Sequence, residues 1–155
     1  MTGNYEKRLS ELGIELPKVL VPVANYVPYA ISGSLVYISG QLPLRDGKLM
    51  FKGKVGDTVS IDNAATAARQ SAVNIISLVK LACDGDLDRM KRVVRLGGFV
   101  AAGSDFTDHP KVINGASDLM VEVFGDAGRH ARAAVGCPSL PLDTPVEVDA
   151  IIEIT

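Results

Sequence analysis

The sequence predicts an α+β fold in which a mixed β-sheet carries two helices on one face. Three observations lead there. Val146–Ile154 alternates strictly, with Val146, Val148, Ala150, Ile152 and Ile154 on one face and Glu147, Asp149, Ile151 and Glu153 on the other. Residues 60–82 hold Ala64, Ala68, Ser71, Ile75, Leu78, Val79 and Ala82 in one small-to-apolar stripe at helical spacing. Gly33-Ser34 and Asp46-Gly47 each punctuate short apolar and β-branched runs, the pattern of tight antiparallel turns.

The elements follow in order. Tyr5, Leu9 and Leu12 space a short amphipathic helix that Gly13 ends. Pro17, Pro22 and Pro28 then keep the chain extended or turning. Residues 29–43, YAISGSLVYISGQLP, read as a hairpin, and the Asp46-Gly47 turn extends it into a meander. The striped helix begins at Ser60, a good cap, and stops before Asp84-Gly85. Residues 91–102 form a strand whose Gly97-Gly98 pair marks a bulge or a close backbone approach. A second helix starts near Pro110, with Thr107 or Asp108 as cap, and ends at Gly125. Residues 132–137 and Val146–Ile154 are the last two strands, giving the order β-β-β-α-β-α-β-β.

Composition bounds the function. The 155 residues are 47% hydrophobic and 22% charged, the profile of one globular domain with a sizeable core. A net charge of −2 gives no electrostatic footprint for nucleic acid, and no polybasic segment addresses a membrane. No apolar run approaches the roughly 18 residues that span a bilayer. The opening MTGNYEKRLSELG is charged and mixed, unlike a secretory signal, so a cytoplasmic location with free thiols at Cys83 and Cys137 is expected. These cysteines make no metal-type spacing, and with only His109 and His130 a histidine metal centre is not expected. The mean hydropathy of +0.21 fits either an Ala-rich core or an apolar surface covered by a partner subunit.

The last two strands hold the candidate chemistry. Read as an antiparallel hairpin joined by residues 138–145, they bring Arg132 near Asp149 or Ile151, with Glu147 in the same neighbourhood. Arginine is a bidentate carboxylate clamp, and a carboxylate beside it can hold a water or shuttle a proton. From the pattern alone, a salt bridge across a sheet is the simpler reading. His130 reads as a strand-edge or interface residue, His109 as a helix start, Cys137 as a small core residue. Ser39 offers a hydroxyl at a strand end with no His–Asp pair beside it. Gly33, Gly40, Gly97 and Gly98 make no phosphate loop, and the charged stretch 86–92 reads as a solvated turn.

From about Tyr26 onward the text resembles the RidA/YjgF reactive-intermediate deaminase family, also called L-PSP endoribonuclease. The resemblance is carried by Pro28-Tyr29, by ISGQLPL with Ser39, Gly40 and Gln41, by AARQSAVN, by VIN ending at Asn114, and by RAAVGCPSLPLDTPVEVDAII. It implies a chorismate-mutase-like domain over residues 26–155, preceded by an extension over 1–25 that holds the short helix. It also implies a homotrimer with sites at the subunit interfaces, no cofactor and no metal. The reaction it implies is hydrolysis of small 2-imino or enamino acids to 2-keto acids and ammonia. Arg132 would clamp the substrate carboxylate, and the Ala134 carbonyl would help position the attacking water. Tyr29, Ser39 and Asn114 would line the pocket, with Phe99 as an apolar wall. Asp149 is read where deaminating members carry glutamate, an arm shorter by roughly 1.5 Å. That marks a divergent subgroup and leaves a non-catalytic, trimeric small-carboxylate binding or regulatory protein as the alternative. RNA cleavage fits poorly, with no basic surplus, no Trp platform and no paired histidines.

Overall fold

The computed structural model describes residues 3–19 and 24–155, so the expectation at Pro22 lies outside the described residues. Helix α1 (Asn4–Glu11) precedes strands β1 (Tyr29–Ser32), β2 (Leu35–Gln41), β3 (Leu44–Arg45) and β4 (Lys48–Leu49). Helix α2 (Ile61–Ala82), strand β5 (Met90–Ala101), helix α3 (His109–Phe124), strand β6 (Ala131–Cys137) and strand β7 (Val146–Ile154) follow. Local chemistry explains most boundaries. Ser60 Oγ accepts from the Asn63 N–H at 3.1 Å and caps α2. Asp46 and Gly47 both take positive φ, 53° and 78°, as the turn between β3 and β4 requires.

Five strands form one sheet in the order β1-β2-β7-β5-β6. Only β5 and β6 are parallel, joined by α3 as a crossover. The helices cover one face. Val36 and Ile38 of β2, Val93, Leu96 and Val100 of β5, and the apolar face of β7 are buried against the α2 stripe and α3. Every stripe residue expected in α2 is buried. The opposite face is open and mixed, with Tyr37 and Val135 each nearly half exposed.

Four expectations are corrected. Strands β6 and β7 do not form a hairpin. β7 pairs antiparallel with β2 and β5, and β6 lies beyond β5 at the sheet edge. The connection 138–145 contains a 3₁₀ turn with Leu142 and Asp143 at positive φ, and it carries the chain across to the far side of β5. The third strand of the meander is a separate β3–β4 ribbon. The stretch 86–92 is not merely solvated: Leu87 and Met90 are buried, and the Asp88 carboxylate accepts from the Asn4 and Tyr5 N–H groups at 2.8 and 3.0 Å. That places an anion on the open N-terminus of α1, which is favourable for a helix. Cys137 is half-buried rather than a core residue.

The two helices touch through Gly115, where any Cβ would collide with the Ala65 backbone carbonyl of α2. Backbone cannot yield as a side chain can. Gly115→Ala is therefore expected to destabilise the fold by about 1–3 kcal/mol, read as a lowered urea midpoint with unchanged slope.

Candidate functional site

Arg132 stands on the helix side of β6. It pairs with Leu96, whose row continues to Ala150, and both of those are core residues. Two residues of α3 meet its guanidinium: Nη1 donates to Asn114 Oδ1 at 2.8 Å and to Ser117 Oγ at 3.1 Å. The close approach of α3 depends on Gly98, since a Cβ there would lie 2.6 Å from Ile113. The expected close backbone approach at Gly97-Gly98 is thus present. Among the described residues, Nε and Nη2 of Arg132 make no hydrogen bond, and no carboxylate lies within 4 Å of its nitrogens. The result is a half-buried cation, held from behind and not neutralised, with a fork of donors left to offer.

The carboxylates lie on the other face. Asp149 pairs with Gly97 and Glu147 with Phe99, both directed away from the helices. Arg95 Nη1 approaches Asp149 Oδ1 at 3.6 Å, and Gly97 leaves the room that both side chains occupy. Burial raises the Asp149 pKa, opposed by the Arg95 charge and a hydrogen bond from the Gly97 backbone. Burial and then the negative charge of Asp149 raise that of Glu147. Glu147 packs on Gly40, where a Cβ would come within 2.8 Å of its carboxyl carbon. There β2 takes three steps, Ile38 to Gln41, while β7 takes two, Ala150 to Val148. Ser39 and Gly40 form the bulge opposite Asp149. Ser39 donates to the Val27 carbonyl at 2.7 Å and borders a cleft of about 570 Å³ that also includes Tyr26, Pro28 and Gln41. This cleft contains neither Arg132 nor Asn114.

One chain therefore brings together only part of the expected set. Arg132 and Asn114 meet directly, and Ala134 lies two residues along the same strand. Tyr29 on β1 and Ser39 on β2 belong to the opposite side of the sheet, roughly 14–19 Å away at three to four strand spacings. Phe99, Glu147 and Asp149 lie between them on the open face. The expected Arg132–Asp149 neighbourhood does not form, because β5 separates the two strands and the side chains leave opposite faces. Sequence reading underweighted Glu147 and missed Ser117. The signal for Ser117 was its i+3 spacing from Asn114 on one helix face. Among the described residues, no group of three or more His, Cys, Asp or Glu side chains gathers as a metal site, and no helix is long and apolar enough to cross a membrane.

Comparison with known proteins places this geometry in a family. Residues 6–154 match the family model described as "YjgF/chorismate_mutase-like, putative endoribonuclease". Protein TCP17 of Trypanosoma cruzi is 44% identical over 99% of this chain and 96% of its own length. The crystal structure of Atu1372 from Agrobacterium tumefaciens, a protein of unknown function, is 52% identical, with a TM-score of 0.92 over 97% of this chain and 92% of that one. A "putative endoribonuclease" from Shewanella oneidensis MR-1 is 39% identical, with a TM-score of 0.93 over 98% of this chain and all of that one. The chain belongs to the YjgF/chorismate-mutase-like family.

The raised pKa of Glu147 has a consequence for stability. The folded chain holds that proton more tightly than the unfolded chain does, so its stabilising effect is present in acid and is lost as pH rises through the raised value. Glu147→Gln should match the parent in acid and become the more stable of the two above the ordinary carboxylate range, checked by thermal melts across a pH series.

Proposed function

We propose that this member of the YjgF/chorismate-mutase-like family hydrolyses small 2-imino acids, such as 2-iminobutanoate and 2-iminopropanoate, to 2-keto acids and ammonia. The sites would lie between copies of the chain in a homotrimer. The observation that carries this reading is Arg132: a half-buried guanidinium fixed by Asn114 and Ser117, unpaired with any carboxylate of its own chain among the described residues. A cation in that state suits a small anionic ligand.

The chemistry asks little more of the protein. The imine carbon is already electrophilic. Water adds to it as one water proton passes through a base to the imine nitrogen; the carbinolamine then gives its hydroxyl proton by the same route to the amine, and the 2-keto acid forms as ammonia leaves. Arg132 orients the substrate through its carboxylate, and orientation alone is worth several kcal/mol. The Ala134 carbonyl helps place the water, Phe99 supplies the apolar wall, and Tyr29 and Ser39 close the pocket from the neighbouring copy. Of the two carboxylates, Glu147 is the better base. Asp149 is engaged by Arg95 and Gly97, while Glu147 has no such partner among the described residues, and burial and the Asp149 charge raise its pKa. Glu147 also bears on the subgroup reading, because glutamate's longer arm is present on this strand beside Asp149.

Distance supports a site completed by a second copy. Arg132 and the Tyr29–Ser39 side stand at opposite edges of one sheet, so a single chain leaves each half-site open. The open face, with Tyr37, Phe99, Val135 and Ile151, offers the apolar area to bury. A second reading, a carboxylate-binding trimer without turnover, draws on the ion pair that occupies Asp149.

Ammonia release from freshly generated 2-iminopropanoate tests the proposal. Wild-type turnover is expected, with kcat/KM reduced on the order of 10²-fold or more in Arg132→Ala. Pyruvate binding without turnover would favour the second reading, and binding unaffected by Arg132→Ala would refute both. Light scattering should give about three times 16.4 kDa; a monomer would leave the half-sites apart and overturn the interface site.

A further inference from the structure

Behind Arg132 lies a second layer of hydrogen bonds. Ser117 Oγ, which accepts from Arg132, is 2.9 Å from His130 Nε2. His130 Nδ1 is 2.6 Å from the Gly128 carbonyl. A carbonyl can only accept, so in the neutral imidazole the hydrogen belongs on Nδ1 and Nε2 is left as an acceptor. Ser117 then donates to His130 and presents a lone pair to Arg132. All the directions agree: Arg132 to Ser117, Ser117 to His130, His130 to Gly128.

The far end of this chain is anchored. Gly128 is buried, and a Cβ on it would collide with the Met120 carbonyl of α3. The 3₁₀ turn Gly125–Gly128 therefore rests directly on the helix backbone, which fixes the acceptor that fixes His130. Both ends of the chain, Gly128 and Ser117, are set by α3. A serine in a helix otherwise tends to turn its hydroxyl hydrogen toward the carbonyl four residues back, or toward any nearby acceptor. His130 gives that hydrogen one destination away from the guanidinium.

We infer that His130 is a positioning residue, acting through Ser117 to hold Arg132 in the rotamer that presents its free donors to a substrate carboxylate. This rests on the reading of Arg132 as the carboxylate clamp. His130 touches no reacting atom in this scheme. Its loss would loosen the clamp and fall mainly on ligand affinity rather than on the chemical step.

The test titrates pyruvate, a stable 2-keto acid, into intact wild-type protein and the variants His130→Leu, His130→Gln and Ser117→Ala. His130→Leu and Ser117→Ala should each weaken pyruvate about tenfold and raise KM for 2-iminopropanoate more than they lower kcat. His130→Gln, whose side-chain carbonyl can accept where Nε2 did, should stay within about threefold of wild type. The double variant His130→Leu/Ser117→Ala should be no weaker than the worse single variant, because both break one relay. Wild-type affinity in His130→Leu, equal damage from Gln and Leu, or full additivity in the double variant would each overturn the inference. If His130→Leu does not fold, Ser117→Ala and His130→Gln decide it. If wild type neither turns over 2-iminopropanoate nor binds pyruvate, or Arg132→Ala binds pyruvate equally, the imino-acid reading fails. The relay is then judged by NMR relaxation of the Arg132 Nε–H: loosening by Ser117→Ala with order kept by His130→Gln sustains it, and unchanged order in Ser117→Ala overturns it.

Discussion

Strand β7 takes the centre of the sheet, with β2 on one side and β5 on the other, and the layout of the site follows from that insertion. The last strand of the chain closes the core with Val146, Val148, Ala150, Ile152 and Ile154, all buried. It also pushes β6 to an edge. Arg132 is thereby set on a strand with one free side and on the helix face, where α3 can hold it. Glu147 and Asp149 emerge through the other face, two strands away. A hairpin of the last two strands would have paired these charges and quenched them. Central β7 keeps them apart and leaves the guanidinium without a counter-ion among the described residues.

Small residues make this arrangement possible. Gly98 lets α3 lie close enough for Asn114 and Ser117 to reach Arg132, and Gly97 gives Asp149 and Arg95 the space they share. The Ser39–Gly40 bulge lets β2 pass Glu147 without collision. These sites offer the fold little packing in return. Glycines in strand interiors weaken a strand, so their concentration around the charged residues reflects geometry rather than stability. The two carboxylates with raised pKa values fit the same pattern, since burial under a half-covered face favours their neutral forms.

Most of the elements were legible in the sequence because their signals are local. The Ser60 cap, the Asp46-Gly47 turn, the Pro110 helix start and the alternation of β7 each depend on residues a few positions apart. The pairing of β6 was not legible in that way. Whether a strand turns back on its predecessor or crosses to another neighbour depends on the connection 138–145, whose composition does not choose. Arg132 and Asn114 were each named through resemblance, but the hydrogen bond between them was not. Ser117 and His130 escaped because a polar helix residue and a lone histidine before a strand gain meaning only once the crossover brings them together. The resemblance singled out Arg132 as a carboxylate clamp, while the assumed hairpin misjudged its neighbours, because β5 stands between β6 and β7.

If the proposed sites lie between copies, Arg132 comes from one copy and Glu147, which leaves the opposite face of its own sheet two strands away, from another. Mixing Arg132→Ala and Glu147→Gln chains by joint unfolding and refolding tests this most directly. Each variant alone should be inactive toward 2-iminopropanoate. In a ring with heterologous interfaces, random mixing of equal amounts restores an intact pair at about one site in four. Recovery of about a quarter of wild-type ammonia release is the expected result. Mixed trimers, confirmed by mass, that stay inactive would contradict the shared site and return both residues to the same chain.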